Sequence, residues 1–375
     1  MAPPLQSQIQ SWDTRFTRQY VRGIPYSPYM GRANRDGARM PILLNYEPQK
    51  GAKTVNMPYI ADLKGNGVQG TTRLAGNEEE LATYNQAVTV NYNRHAVLVK
   101  EPEEFFTGLD LRNEARVALK DWATRGLRRD ITTALMAFDT GSYLMGKNAD
   151  NASAAARTPL EAYLAVPEAT KDAYLAANTD RFLFGAAVSN HAGNDHSTAL
   201  GNVDAINDRM TVSKALLAKE LAESTEQAIT PFMADEDEGR EQWVMFLGVR
   251  AFRDLKQDPV MQQALREAAV RGSDNPLFRS GDLVYEDIIF RQIRDIPVIP
   301  GVGAAGVDVQ PSFLVGAGAV GVAWGQMPRS KTKDEDDYDF EIGVGIQEVR
   351  GVAKLGRGGV QNGVVTLYTA APATA

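Results

Sequence analysis

The chain has 375 residues, 43% hydrophobic and 23% charged, and a formal charge of −7: enough length for two or three lobes around an ordinary core, and a charge that argues against a general nucleic-acid-binding surface. It contains no cysteine, which excludes disulfides, thiol nucleophiles, zinc–cysteine sites and iron–sulfur clusters. No 18-residue apolar run marks a transmembrane helix, and the start, Met1-Ala-Pro-Pro-Leu-Gln6, lacks the basic and apolar regions of a secretory signal, so synthesis in a cytoplasm is expected.

Residues 1–50 mix proline, glycine, arginine and aromatics without a steady period, and read as an extended arm. Seven basic residues (Arg15, Arg18, Arg22, Arg32, Arg35, Arg39, Lys50) against three acidic ones (Asp13, Asp36, Glu47) give it +4, leaving −11 for the rest. A basic arm on an acidic body fits an acidic neighbouring copy, a polyanion, or a solvated terminus. Lys53–Ala61 alternates loosely, and Pro58 makes it an edge or solitary strand. Gly65, Gly67, Gly70 and Gly76 punctuate the polar stretch Asp62–Gly76. Ala87–Val99 carries the strongest strand pattern, with Val88, Val90 and Tyr92 on one face. The two strands around the Gly-rich stretch predict a large hairpin reaching away from its own subunit, an arm suited to a neighbour.

Pro102 ends the strand. From Glu103 the apolar residues Phe105, Leu109, Leu111, Ala115, Ala118, Trp122, Leu127, Ile131, Leu135 and Phe138 follow helical spacing, predicting one helix to about Asp139, on the order of 50 Å long. Residues 140–178 are Ala-rich and less periodic. Phe182–Gly185 predicts a short buried strand, Asp208–Glu226 a helix, and Glu241–Gly248 a central strand. Asp258 as N-cap and Pro259 in the first turn predict a helix to Gly272. The remainder is mostly strand: Asp282–Ile293, Val298–Ile299, Val309–Trp324, Phe340–Arg350 and Val360–Thr369. Partial segregation of helices and strands points to α+β rather than a repeating βαβ wind.

The chemical motifs are weak. Gly316-Ala-Gly318-Ala-Val-Gly321 is a formal G-x-G-x-x-G, but Gly325 and Pro328 cut short the helix a dinucleotide needs. Gly301-Val-Gly303-Ala-Ala-Gly306 is a second match of the kind a Gly-rich chain provides by chance. Close strand packing and a loop explain both. His191 and His196 are five apart, off one helix face, and read as a polar loop rather than metal ligands. His95 lies inside the best strand and reads as structural. Asp235-Glu-Asp237-Glu-Gly239 lacks the closing glutamate of a calcium loop. Lys331-Thr-Lys333-Asp-Glu-Asp-Asp337 reads as a solvated loop between strands, and also as a segment that could meet a basic arm of a neighbour. No catalytic, cofactor-binding or metal residue is assigned, and no cofactor is expected.

Several segments together resemble a known family. Gly65-Asn-Gly67-Val-Gln-Gly70, Leu74-Ala-Gly76-Asn-Glu78-Glu-Glu-Leu81 and Val88-Thr-Val-Asn-Tyr-Asn-Arg94-His-Ala-Val97 are similar to the signature of the phage N-four type major capsid proteins. Asn275-Pro-Leu-Phe278 with the Gly281–Phe290 strand, Phe313-Leu-Val-Gly316 and Ala323-Trp-Gly325 resemble its later parts. The resemblance implies an α+β Hong Kong 97-like capsid fold. Residues 1–50 would be the N-terminal arm and 51–100 the extended β-hairpin loop. Residues 101–207 would form the peripheral domain, with a spine helix at 102–140 and an insertion-like stretch at 142–180. Residues 208–310 would be mainly axial domain, and 311–375 closing β segments, mainly peripheral.

The implied function is that of a major capsid protein, not an enzyme. It would self-assemble into hexamers and pentamers of an icosahedral shell enclosing phage double-stranded DNA. Its partners would be copies of itself, portal, scaffold and decoration proteins, and the DNA non-specifically, with no membrane. Its place would be the virion capsid, assembled in the bacterial host cytoplasm. The alternatives are an encapsulin-like shell storing an enzyme cargo, a nucleotide-dependent enzyme using Gly316–Gly321, and a tail or adhesion protein forming rods or fibres.

Overall fold

The computed structural model describes residues 20–32, 39–46, 53–60, 67–71, 73–76, 78, 83–100, 106–108, 110–139, 142–143, 158–225, 228–233, 241–269, 283–336, 341–357 and 360–373. The chain opens with β1 (Met30–Arg32), β2 (Ile42–Tyr46), β3 (Thr54–Ile60), β4 (Thr83–Thr89) and β5 (Asn91–Lys100), then the long helix α1 (Leu111–Met136). Next come β6 (Ser142–Tyr143), α2 (Pro159–Leu164), α3 (Glu168–Ala177), β7 (Phe182–Phe184), α4 (His196–Gly201) and α5 (Val212–Ser224). They are followed by β8 (Phe232–Met233), β9 (Glu241–Leu247), α6 (Val249–Gln257), α7 (Pro259–Ala269), β10 (Leu283–Tyr285) and β11 (Ile288–Gln292). The closing elements are β12 (Val309–Val315), β13 (Val320–Asp336), β14 (Glu341–Lys354), β15 (Gly356–Arg357), β16 (Val360–Gln361) and β17 (Val364–Ala370).

Two mixed sheets hold the molecule together. One has the order β1-β2-β13-β14-β5, with β6 also paired to β14. The other has the order β10-β11-β9-β12-β17-β7, with β8 on β9. A single apolar core joins them through α1: Leu119, Ala123, Leu127, Ile131 and Leu135 of the helix meet Val320, Val322, Val344 and Ile346 of the first sheet, and Val244, Phe246, Phe313 and Tyr368 of the second. The second sheet is covered on its other face too. Trp243, Met245, Leu247, Leu314, Val365 and Leu367 pack against Ala215, Ala218, Ala251 and Leu255 of α5 and α6. Alternate residues of β9 therefore serve two cores, so its stretch Trp243–Leu247 is an unbroken apolar run and the strand lies centrally, as expected.

The long helix is shorter than expected. It begins at Leu111 rather than Glu103 and has 26 residues, or about 39 Å. Gly108 takes φ +64°, outside the helical range, and the Asp110 side chain caps the helix by accepting from the Asn113 amide at 3.1 Å. Phe106 and Thr107, upstream of the cap, are helical as well, so the apolar rhythm runs across a break at Gly108 that it does not record. The Ala87–Val99 strand divides at Val90, whose amide donates to the Lys53 carbonyl at 2.8 Å; β4 pairs with β3 and β5 pairs with β14. The Val309–Trp324 strand also divides, since β12 and β13 belong to different sheets. The closing segments are thus shared between the two sheets.

The helix expected from Asp208 starts at Val212. The Asp208 carboxylate is engaged earlier, accepting from the Ala186 amide at 2.6 Å and the Asp204 amide at 2.9 Å. Asp258 caps more than expected: one oxygen accepts from Val260 at 3.2 Å, in the first turn of α7, and the other from Val212 at 2.7 Å, at the start of α5. The acidic run of residues 331–336 is the end of β13, paired with β14 from Lys331↔Gly345 to Asp336↔Glu341, and not a loop. Within the expected N-terminal arm, residues 20–32 and 39–46 are described, and Tyr20, Ile24, Tyr26, Tyr29 and Ile42 of them lie in the shared core. Arg15 and Arg18, the Asp235–Glu238 cluster and the Asn275–Phe278 segment lie outside the described residues.

Candidate assembly surface

The hairpin is docked by its base. β3 and β4 pair antiparallel from Thr54↔Thr89 to Ile60↔Thr83. An isolated two-stranded hairpin is marginal in water, and this one gains a core of its own: Val55, Met57 and Val88 are buried against Leu43, Ala323, Ala353 and Leu355 on the outer face of the first sheet. Polar clips fix its position. The Asn45 side chain donates to the Asn56 carbonyl at 3.0 Å. The Gln86 amide donates to the Lys354 carbonyl at 2.9 Å and accepts from the Gly356 amide at 2.6 Å.

Towards the tip this packing stops. Gly67, Gly70 and Gly76 adopt positive φ, and a Cβ at any of them would meet nothing within 4 Å among the described residues. Leu74 is 61% exposed. Nearby, β5 ends the first sheet with its outer edge unpaired among the described residues. It presents Tyr92, 67% exposed, and Leu98, 49% exposed. Phe106, upstream of α1, and Val117, in its first half, add exposed apolar surface. An open strand edge beside exposed aromatics is a template for pairing with another chain.

The frame behind this surface is fixed by buried charge. Residues 344, 346, 348, 350, 352 and 354 of β14 all face inward, so Val344, Ile346 and Val352 share their side with Glu348, Arg350 and Lys354. Arg350 is completely buried and bonds Asp130 of α1. It also donates to the Tyr20 hydroxyl at 2.7 Å and lies 3.2 Å from Glu348. Asn93 of β5 donates to Glu348 at 2.8 Å. One guanidinium thereby ties the N-terminal segment, the spine helix and two strands together. Burial alone would lower the Arg350 pKa, but Glu348, Tyr20 and Asp130 outweigh it and raise it.

Lys354 is held differently. Its Nζ donates to the Ala137 carbonyl at the end of α1 at 2.8 Å and to Gln361 at 3.3 Å, with the Tyr174 ring 5.6 Å away. It caps the negative end of the helix dipole. Burial pushes its pKa down to about 7, against an opposing pull from Asp139. Above about pH 7 the folded chain is then neutral here, while the unfolded lysine keeps its proton until about 10.4. The unfolded state binds more protons across that window, so stability rises with pH, by on the order of 4 kcal/mol in full. The expected result is a urea midpoint that climbs from pH 6.5 to 9.5 in the wild-type chain and much less in Lys354→Met. Equal slopes in the two would remove Lys354 as the cause.

The remaining candidates resolve as structure. The Gly316–Gly321 stretch is the turn between β12 and β13, with no helix after it. Its amides are already used: Gly316 donates to Gly363, Ala317 to Thr230, Gly318 to Met40 and Ala319 to Pro41, at 2.8–2.9 Å. A Cβ at Gly316 would lie 2.5 Å from the Thr230 carbonyl. That is close strand packing, with no amide left for a pyrophosphate. Gly301–Gly306 is likewise a turn, its Gly303 and Ala304 amides donating to Val307 and Val203. His196 is not in a polar loop. It is buried, with Nδ1 2.9 Å from Glu168 and Nε2 3.2 Å from the Tyr163 hydroxyl, among Phe138, Phe184 and Tyr368. Burial lowers its pKa, and Glu168 opposes that. His191 packs against Phe184, and His95 stands on β5, its ring 4.8 Å from that of Trp122. No group of three or more metal-ligating side chains occurs among the described residues.

Sequence reasoning named the hairpin and missed the Arg350 and Lys354 anchors. Their signal was the even-numbered parity of charged and apolar residues along β14, hidden because the strand was expected to stop at Arg350.

Comparison with known proteins agrees with this geometry. The model of the phage capsid protein family matches residues 5–373. The major capsid protein of Pseudomonas phage KPP25 is 26% identical over 356 residues, covering 92% of this chain and 88% of the relative. Among solved structures, the capsid asymmetric unit of cyanophage Pam1 is 32% identical, covering 95% and 94% of the two chains with a TM-score of 0.75. The capsid of Ralstonia phage GP4 shares the fold at 19% identity, 93% and 91% coverage and a TM-score of 0.68. The chain therefore belongs to the phage capsid protein family and is a major capsid protein in the Hong Kong 97-like fold, a structural subunit of a phage shell and not an enzyme.

Proposed function

We propose that copies of this chain form the hexamers and pentamers of an icosahedral shell around phage double-stranded DNA, assembled in the host cytoplasm with portal, scaffold and decoration proteins as partners. The observation that carries the reading is the hairpin, docked at its base and open around Gly67, Gly70 and Gly76 among the described residues. Its tip is placed to lie on an adjacent copy, and the unpaired edge of β5 is placed to receive one. The first sheet with α1 acts as the peripheral domain. The second sheet with α5, α6 and α7 acts as the axial domain, which also takes in β12 and β17. Burial between copies supplies the driving force, and the hairpin flexes to suit slightly different neighbours.

The test is to purify the expressed protein and the virion particles and image both by negative stain. Closed shells whose particles protect double-stranded DNA from nuclease are expected. Shells filled with an enzyme cargo would establish the storage alternative, and rods or small oligomers would end both readings.

A further inference from the structure

A strongly charged cleft of about 600 Å³ is lined by Arg22, Arg128, Lys256, Arg291 and Arg294, with Phe252 and Gln292 between them. Its cations come from four places in the sequence: the helical residues 20–22, the middle of α1, the end of α6, and the end of β11 with the residue pair after it. No carboxylate of the described residues lines it. Asp295 stands beside it, bonded to Arg128, and anchors that guanidinium. Lys256 is placed by the ring of Phe252, 4.6 Å from its Nζ. A chain of net charge −7 has thus gathered five basic side chains around one concavity, one of them paired with Asp295.

We propose that this cleft holds the sugar–phosphate backbone of duplex DNA. The inference rests on the proposed role of the shell as the container of that DNA, and assigns the contact to one place on the subunit. Duplex DNA carries one negative charge per about 1.7 Å of axis, which suits several cations in one concavity. Four of the five are arginines, whose planar forks match phosphate oxygens two at a time. The acidic body repels DNA elsewhere, so binding concentrates at the cleft. Binding through phosphates is sequence-independent. A neighbouring copy's acidic run is the competing occupant, and loss of shell formation with intact DNA binding would reveal it. The cleft then marks the face of the subunit turned to the shell interior.

The test measures binding of a fluorescent 20-base-pair duplex to the purified protein by anisotropy, across a salt series. Lys256→Gln combined with Arg294→Gln is expected to weaken binding about tenfold at low salt, and to flatten the slope of log K against log salt by about 2, one for each phosphate no longer neutralised. Arg329→Gln with Lys331→Gln, on β13 outside the cleft, is expected to leave both unchanged, and melting curves of both pairs verify folding. Affinity and slope untouched by the cleft pair would overturn the proposal. So would displacement of the duplex by inorganic phosphate beyond that caused by chloride at equal ionic strength, which would mark a small-anion site. Loss of shell formation with intact DNA binding would also overturn it, assigning the cleft to a neighbouring subunit. Shells that form normally from a variant whose unassembled subunits bind duplex less tightly would support it. The shell itself is scored separately by negative stain, so failure here leaves the assembly reading standing.

Discussion

Arg350→Met is expected to destabilise the subunit by on the order of 3–5 kcal/mol, the usual cost of removing one partner from a buried ion pair. Arg350 and Asp130 are fully buried, and Glu348 is 3% exposed. Methionine fills similar space but leaves two carboxylates facing each other without their cation. It also removes the 2.7 Å bond to Tyr20, which holds the N-terminal segment on the core. The urea midpoint should fall, and residues 20–29 should become sensitive to protease first. Replacing all three charged residues together by apolar ones of similar volume should recover much of the loss, because the unpaired charge and not the cavity dominates. Lys120 and Asp121 give the contrast: at 3.9 Å and 34% and 61% exposed, their pair is worth at most about 1 kcal/mol. An Arg350→Met midpoint equal to wild type would show that the network adds nothing to the fold.

Deleting Asp62–Gly76 is expected to abolish shell formation while sparing the subunit. Seven residues, 61 and 77–82, then remain between β3 and β4, close to the span of ordinary hairpin loops. The base keeps its register and its buried Val55, Met57 and Val88. Shortening the connection from residues 61–82 to seven residues changes closure entropy by only about 1 kcal/mol, in favour of the folded chain, so the melting curve should move little. Size-exclusion chromatography should show a small soluble species, and negative stain no closed particles. Normal shells from the deletion variant would refute the role given to the tip.

How much was legible in the sequence depends on the range of the forces involved. The central β9 was legible because a strand buried on both faces must be apolar throughout. The cap of α7 was legible because Asp258 and Pro259 act within one turn. The helix start was not. Residues 103–110 continue an apolar rhythm, and only Gly108 with φ +64° and the Asp110 cap show that the backbone leaves the helical region. The divisions at Val90 and between β12 and β13 were invisible for a further reason: side-chain alternation does not record which partner a strand bonds.

The sequence by itself determined the class of this protein. Its composition left no thiol or metal–cysteine chemistry, its periodicity supplied a hairpin and a long helix in succession, and its segments resembled those of shell-forming proteins in order and spacing. These properties follow from local pattern, which survives without coordinates. Only the tertiary structure decided that the hairpin is anchored through Met57 and Gln86, that Arg350 and Lys354 fix β14 to the two ends of one helix's buried half, and that five cations scattered from residue 22 to residue 294 converge on one cleft. Each of these joins residues tens or hundreds of positions apart. Their meeting is set by how two sheets close on a shared core, and short-range spacing carries no record of it.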